Sequence, residues 1–248
     1  MANDVHEVFR YEVRSYECAP NGCATLANIC NYLQEAASVN AEHLGFSKVN
    51  FDSAGMNITW VMTRMRLTVA RYPKWGEGIS ILTFPRPPRR IVAYRDFIAT
   101  GADGAEILRA TSEWMMIDMT SRRPVPIPDV VMDKGNDVRE PVHGEGAFTA
   151  RLRWPQDAAP QRTFETLALK SDIDLNAHVN NARYVAWLME MAESGRHCKD
   201  LEIVFRSETV AGEKVLGEAV ETGDGSTMMR LKSPSGAEHV VARAIFHD

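Results

Sequence analysis

The sequence predicts an α+β protein built from one unit written twice, each unit an antiparallel sheet wrapped around a buried helix. Three observations predict it. Short alternating apolar runs, parted by Gly- and Pro-containing turns, occur in both halves. Each set of runs follows one helical stretch that is apolar nearly all round. Small Gly-Glu anchors recur about half a chain apart, whereas a solenoid would repeat every 20 to 50 residues.

The strands come first. In the first half, runs at 79–84, 90–100 and 105–118 flank the turn Gly101 to Gly104. In the second half, runs at 215–221, 226–232 and 237–246 are separated by Thr222 to Gly225 and Ser233 to Gly236. Gly-Asp-Gly and Pro-Ser-Gly between alternating runs are hairpin signals, so each half reads as a meander. Gly76-Glu77 answers Gly212-Glu213, and Gly104 with Glu106 answers Gly236 with Glu238. The helices come next. From Val179 to Ser194 only Arg183, Glu190 and Glu193 are charged. A helix apolar on nearly every face is a buried one. Its first-half equivalent runs from about Thr25 to Leu44, with Gly45 as its stop. One buried helix plus a meander, in duplicate, is a tandem double hotdog. The Pro-rich stretch between about Thr120 and Thr163 reads as a connector. The expected domains are therefore 1–130, a connector over 131–160, and 161–248.

Bulk properties narrow the function. The 248 residues are 45% apolar and 25% charged, an ordinary globular composition. A net charge of −5 argues against a general nucleic-acid binder. The N-terminus has no basic and apolar leader pattern, and no apolar run is long enough to span a bilayer, so a cytoplasmic location is expected. Cys18, Cys23, Cys30 and Cys198 lack Cys-x-x-Cys spacing and read as free thiols. No zinc pattern is present, and no cofactor is expected.

The chemistry concentrates ahead of the second helix. Asp174, Asn176 and His178 alternate there, which puts them on one side of an extended or turning chain. They face a helix N-terminus, whose free N–H groups suit a developing oxyanion. Any one of these residues alone is more often a cap or turn former than a catalyst. The repeat offers a test, in either of two registers. Pairing Tyr184 with Tyr32 sets Gly22, Ala24 and Leu26 opposite the trio. Pairing Glu190 with Glu35 sets Ala19, Asn21 and Cys23 there. Both registers remove most of the polar set from the first half. That points to chemistry in the second half and to substrate shaping in the first. Glu208 falls opposite Tyr72 when counted from the Gly-Glu anchors. Taken alone it reads as a strand-end carboxylate.

At these residues the chain resembles a known family. Asp174-x-Asn176-x-His178, followed by Asn180, Asn181, Tyr184, Trp187 and Glu190, resembles the signature of acyl-acyl-carrier-protein thioesterases, the plant plastid enzymes and their bacterial relatives. The likeness extends over the segments around Val13 to Glu17, Trp60 to Met65, Arg71 to Gly76 and Arg109 to Met116, and thins out over about 130 to 160. The resemblance implies a double hotdog and hydrolysis of a fatty acyl thioester on acyl carrier protein. It also implies catalytic roles for Asp174, Asn176, His178 and Glu208. Plant members often carry a cysteine after the matching glutamate; this chain has Thr209. A cysteine nucleophile is thus unavailable at that place, which favours water. No Gly-x-Ser-x-Gly elbow is present.

On that reading water is activated by a carboxylate, with Glu208 and Asp174 both open as the base. The carrier protein of the resemblance is acidic, so its docking surface is expected to be basic, at Arg86, Arg89, Arg90, Arg122 and Arg123. The partner is the acylated carrier, with no nucleic acid and no membrane span. The chain is either a monomer of two hotdogs or a homodimer. The rivals are an acyl-coenzyme A thioesterase, a hotdog dehydratase (no Pro-containing motif of that class lies near His178) and a non-catalytic acyl-thioester binder.

Overall fold

The computed structural model describes residues 5–132, 139–193 and 195–247. The chain divides into two compact units. One holds most residues up to Ala147; the other holds Phe148 onward together with Leu26–Asn28 and Arg66–Thr68.

The first unit contains β1 (Glu7–Glu12), α1 (Leu26–Leu44), α2 (Lys48–Ser53), β2 (Ile58–Val69), β3 (Gly78–Pro85), β4 (Val92–Gly101), β5 (Glu106–Asp118), β6 (Pro124–Val125) and α3 (Asp129–Met132). Its main strands lie in the order β1-β3-β4-β5-β2, with β6 paired to β5. The second contains β7 (Arg162–Leu167), α4 (Asn181–Met189), β8 (Cys198–Phe205), β9 (Lys214–Glu221), β10 (Thr227–Lys232) and β11 (Glu238–Phe246). Its order is β7-β9-β10-β11-β8. The two orders are the same topology, so the unit is repeated.

The register repeats as well. Glu7 pairs with Thr83 and Glu12 with Gly78 between β1 and β3. Arg162 pairs with Ala219 and Leu167 with Lys214 between β7 and β9. Each edge strand alternates half-buried and exposed positions along its length, as a sheet with one packed face requires.

Each helix is held by its apolar positions. In α1, Leu26, Ile29, Leu33, Ala36 and Ala37 are buried. Tyr32 stacks on Tyr11 of β1 at 5.1 Å, and Gly45 ends the helix at φ 81. The left-handed conformation at that stop is the one glycine adopts freely. In α4, Ala182, Tyr184, Val185, Trp187 and Leu188 are buried, and the Tyr184 ring meets Phe205 of β8 edge-on at 6.0 Å.

Two expectations need correction. The second helix was expected over Val179 to Ser194, but α4 covers Asn181–Met189. Tight turns follow, with the Met191 N–H donating to Leu188 O and the Ala192 N–H to Met189 O. Met191 is still buried, because it packs on Gly217 of β9, where a Cβ would lie 2.9 Å from its sulfur. The stretch expected to be a bare connector also carries β6, α3 and core residues such as Ile127, Val131 and Leu152. Among the described residues, no helix is long and apolar enough to cross a membrane.

Candidate active site

The site is built on a loop and a turn. The loop runs from Asp172 to Asn180. Ile173 and Val179 form an antiparallel bridge, and between them the chain turns tightly, one of the two courses expected for it. The Asp174 N–H donates to His178 O at 2.9 Å, and the Ala177 N–H donates to Asp174 O at 3.0 Å. Ala177 is left-handed, at φ 64. That costs a residue with a Cβ about 1 kcal/mol or more, a strain of the kind stored next to functional groups. Asp174 Oδ1 accepts the Asn176 N–H at 2.8 Å, an Asx turn. Asn176 is exposed, while Asp174 and His178 are half-buried.

The base of the loop is fixed by Asp172, a buried carboxylate. It accepts the Leu169 N–H at 2.9 Å and pairs with Arg183 Nε at 2.8 Å. The Asn180 side chain caps α4 by accepting the Ala182 N–H at 2.8 Å. His178 lies three residues before the first residue of the helix, where the Ala182 and Arg183 N–H groups donate to Asn180.

The turn runs from Arg206 to Glu213 and carries Glu208. It is stitched to the loop by the Val179 N–H, which donates to Thr209 O at 2.9 Å. That stitch sets Glu208 beside His178, and His178 Nε2 lies 2.9 Å from Glu208 Oε2. Thr209 is fully buried, so its hydroxyl is withdrawn from any substrate. Neither it nor the buried Tyr184 hydroxyl has a hydrogen-bond partner among the described residues. Burial pushes the Tyr184 phenol up to about 12; nearby Thr209 pulls the other way without an aligned bond.

The first unit holds the same loop and turn with other side chains. The Ala19 N–H donates to Cys23 O, the Gly22 N–H to Ala19 O, and the Ala24 N–H to Pro73 O. Cys18 and Ala24 bridge as Ile173 and Val179 do. The spacing is a constant 155 (Cys18 to Ile173, Ala24 to Val179), so of the two registers the one pairing Glu35 with Glu190 holds. Ala19, Asn21, Cys23 and Tyr72 stand opposite Asp174, Asn176, His178 and Glu208. Gly22, at φ 77, takes the left-handed place that Ala177 occupies under strain.

Of the basic residues, Arg89, Arg90, Arg122 and Arg123 are exposed. They share one end of the first unit's sheet: Val92 pairs with Met115, Ile117 pairs with Pro124, and the Ile127 N–H donates to Arg90 O. Arg86 differs. Its side chain is 14% exposed, near Asp96 and Glu145 and over the Tyr94 ring, so it is less open to a partner than expected.

Comparison with known proteins fits this geometry. Residues 5–134 match the acyl-ACP thioesterase N-terminal domain, and residues 158–248 match the acyl-ACP thioesterase C-terminal domain. The chain belongs to the acyl-ACP thioesterase family. Within the family it is 29% identical over 257 residues to a chloroplastic palmitoyl-acyl carrier protein thioesterase of Gossypium hirsutum, covering 94% of this chain and 62% of that one. It is 31% identical over 199 residues to the chloroplastic oleoyl-acyl carrier protein thioesterase 1 of Arabidopsis thaliana, covering 73% and 53%. The chain thus spans 53% to 62% of the length of these two relatives. An acyl-ACP thioesterase structure from Bacteroides thetaiotaomicron superposes with a TM-score of 0.86 at 22% identity over the whole of both chains. The 12:0-ACP thioesterase of Umbellularia californica gives 0.86 at 22% identity, over 99% of this chain and 98% of that one. At such identity these structures establish the fold, the double hotdog.

Three residues near Glu208 escaped the sequence reading: Ser207, Glu213 and His239. Ser207 Oγ lies 2.9 Å from His239 Nδ1, and His239 Nε2 lies 3.3 Å from Glu213 Oε1. No local spacing links positions 207, 213 and 239. The one signal was the Gly-Glu anchor, which had already set Glu213 opposite Glu77.

Proposed function

We propose that this chain hydrolyses the thioester of a fatty acyl group on acyl carrier protein, releasing free fatty acid and the carrier thiol. The observation that carries the reading is the 2.9 Å contact between His178 and Glu208, at the start of a buried helix in a member of this family. Glu208 takes a proton from water as the water oxygen attacks the thioester carbonyl carbon. The tetrahedral oxyanion is held by the Asn176 amide, since the Ala182 and Arg183 N–H groups at the start of α4 already donate to Asn180. The C–S bond then breaks. The thiolate leaves with the proton returned from Glu208, and a thiol of pKa about 8.5 needs little further help. His178 orients the Glu208 carboxylate. Asp174 shapes the turn, since one of its oxygens is already taken by the Asn176 N–H; this supports Glu208 as the base. The buried Thr209 hydroxyl supports water as the nucleophile.

Thiol release tests the reading. Carrier-protein esters of several chain lengths are compared with the matching coenzyme A esters. Carrier esters are expected to have kcat/KM at least about tenfold higher. Preference for coenzyme A would replace the substrate. Binding without thiol release from any ester would make the chain an acyl-thioester binder.

The exposed arginines supply the preference. We expect Arg89→Glu with Arg90→Glu, or Arg122→Glu with Arg123→Glu, to raise KM for the carrier ester about tenfold. KM for the coenzyme A ester should change less than about twofold. Equal shifts on both substrates would remove these residues from docking.

A further inference from the structure

The turn that carries Glu208 is closed differently from its first-unit copy. In the first unit, the Ala70 and Arg71 N–H groups both donate to Ile107 O, and Arg71 reaches directly across to Glu77 at 2.6 Å. The Lys74 N–H donates to Glu77 Oε2. In the second unit, the Arg206 and Ser207 N–H groups donate to His239 O at 2.8 and 3.4 Å. The Val210 N–H donates to Glu213 Oε2 at 3.2 Å. The backbone plan is the same, but Arg71 has become Ser207 and Ile107 has become His239.

A serine at 207 is too short to reach Glu213. The gap is filled by the His239 imidazole, which is buried at 3% exposure on β11. Nδ1 meets Ser207 Oγ at 2.9 Å, and that hydroxyl also lies 3.2 Å from Glu238 O. Nε2 faces Glu213 Oε1 at 3.3 Å, close but off the line of a hydrogen bond. One buried ring therefore touches both ends of the segment on which Glu208 sits. Ser207 is the residue bonded to Glu208 through the backbone. A shift at either end of the turn would carry the Glu208 carboxylate away from His178, and a displacement of about 1 Å at a reacting group is costly.

We propose that His239 is a positioning residue for Glu208, acting through Ser207 and Glu213 to hold the carboxylate against His178. The inference rests on the reading of Glu208 given above. It predicts that removing the clamp lowers kcat and not substrate affinity, and that the loss disappears once Glu208 itself is gone.

The test is a double-mutant cycle on thiol release from palmitoyl-acyl carrier protein. Ser207→Ala and His239→Leu are each made in the wild-type chain and in a Glu208→Gln background, with residual rates followed above uncatalysed release. In the wild-type chain each is expected to lower kcat about 5- to 50-fold with KM within about twofold. In the Glu208→Gln background each should change kcat less than about twofold. His239→Asn, which keeps a polar group near the Nδ1 position, should recover part of the loss. Ser207 is exposed, so Ser207→Ala decides the matter if His239→Leu does not fold. Unchanged kcat in Ser207→Ala, or equal losses in both backgrounds, overturns the proposal. If Glu208→Gln alone keeps full turnover, the reading of Glu208 has failed. If it collapses turnover while Ser207→Ala does nothing, only the clamp has failed.

Discussion

Glu208→Gln is expected to lower kcat for thiol release by about 10²- to 10⁴-fold, the range for removing a positioned general base. The amide keeps the shape of the carboxylate and can still hydrogen-bond His178, but it cannot take a proton from water. Folding should be nearly untouched. The Glu208 side chain is 39% exposed and its partner His178 is 24% exposed, so their pairing is screened by solvent. A melting temperature within about 2 °C of wild type is therefore expected. KM should also hold, because the carboxylate acts on water and not on the acyl chain. Measuring kcat, KM and melting together separates loss of a base from loss of a fold. Near-normal turnover would move the base to Asp174 or dissolve the site.

Leu188→Ala is expected to destabilise the protein by about 3 kcal/mol. Leu188 has no exposed surface and sits on α4 between Trp187 and the turns that follow the helix. Truncating it leaves a cavity that its neighbours fill only in part. For a chain of this length the loss corresponds to a fall in melting temperature of about 6 to 12 °C. Val49→Ala is the control: Val49 lies on a short helix and is 62% exposed, so its loss should be within about 0.5 kcal/mol. Similar melting for both variants would mean that α4 is not a core element. Because the helix start adjoins the His178 loop, turnover near the lowered melting point should fall before bulk unfolding does.

The sequence made the architecture legible because it states the architecture twice. Hairpin turns, helix faces and the Gly45 stop are local signals, and each lies where its chemistry puts it. The approach of Glu208 to His178 is not local. It is set by the stitch from Val179 to Thr209, and the family resemblance named both residues before any geometry did. The helix end was misread because an apolar residue such as Met191 is buried equally well in a helix or in a turn lying against a glycine. Whether the chain through Asp174, Asn176 and His178 runs extended or turns is open in the sequence because nothing marks Ala177 as left-handed; its counterpart Gly22 marks the turn once the register is known. No local pattern reveals the contacts of His239, because its partners lie 26 and 32 positions away, on a turn outside its own strand.

The strict correspondence between the two loops gives this chain a built-in control experiment. Glu17 and Asp172 both end a 3-10 turn, Ala24 and Val179 both donate to the residue after Tyr72 or Glu208, and Val13 and Ala168 both receive the Gly-Glu anchor. What both copies keep is what folding alone demands. What only one copy keeps is where a role beyond folding is to be sought. By that standard Asp172 is masonry, while the imidazoles of His178 and His239, which the first copy lacks, are the places to probe.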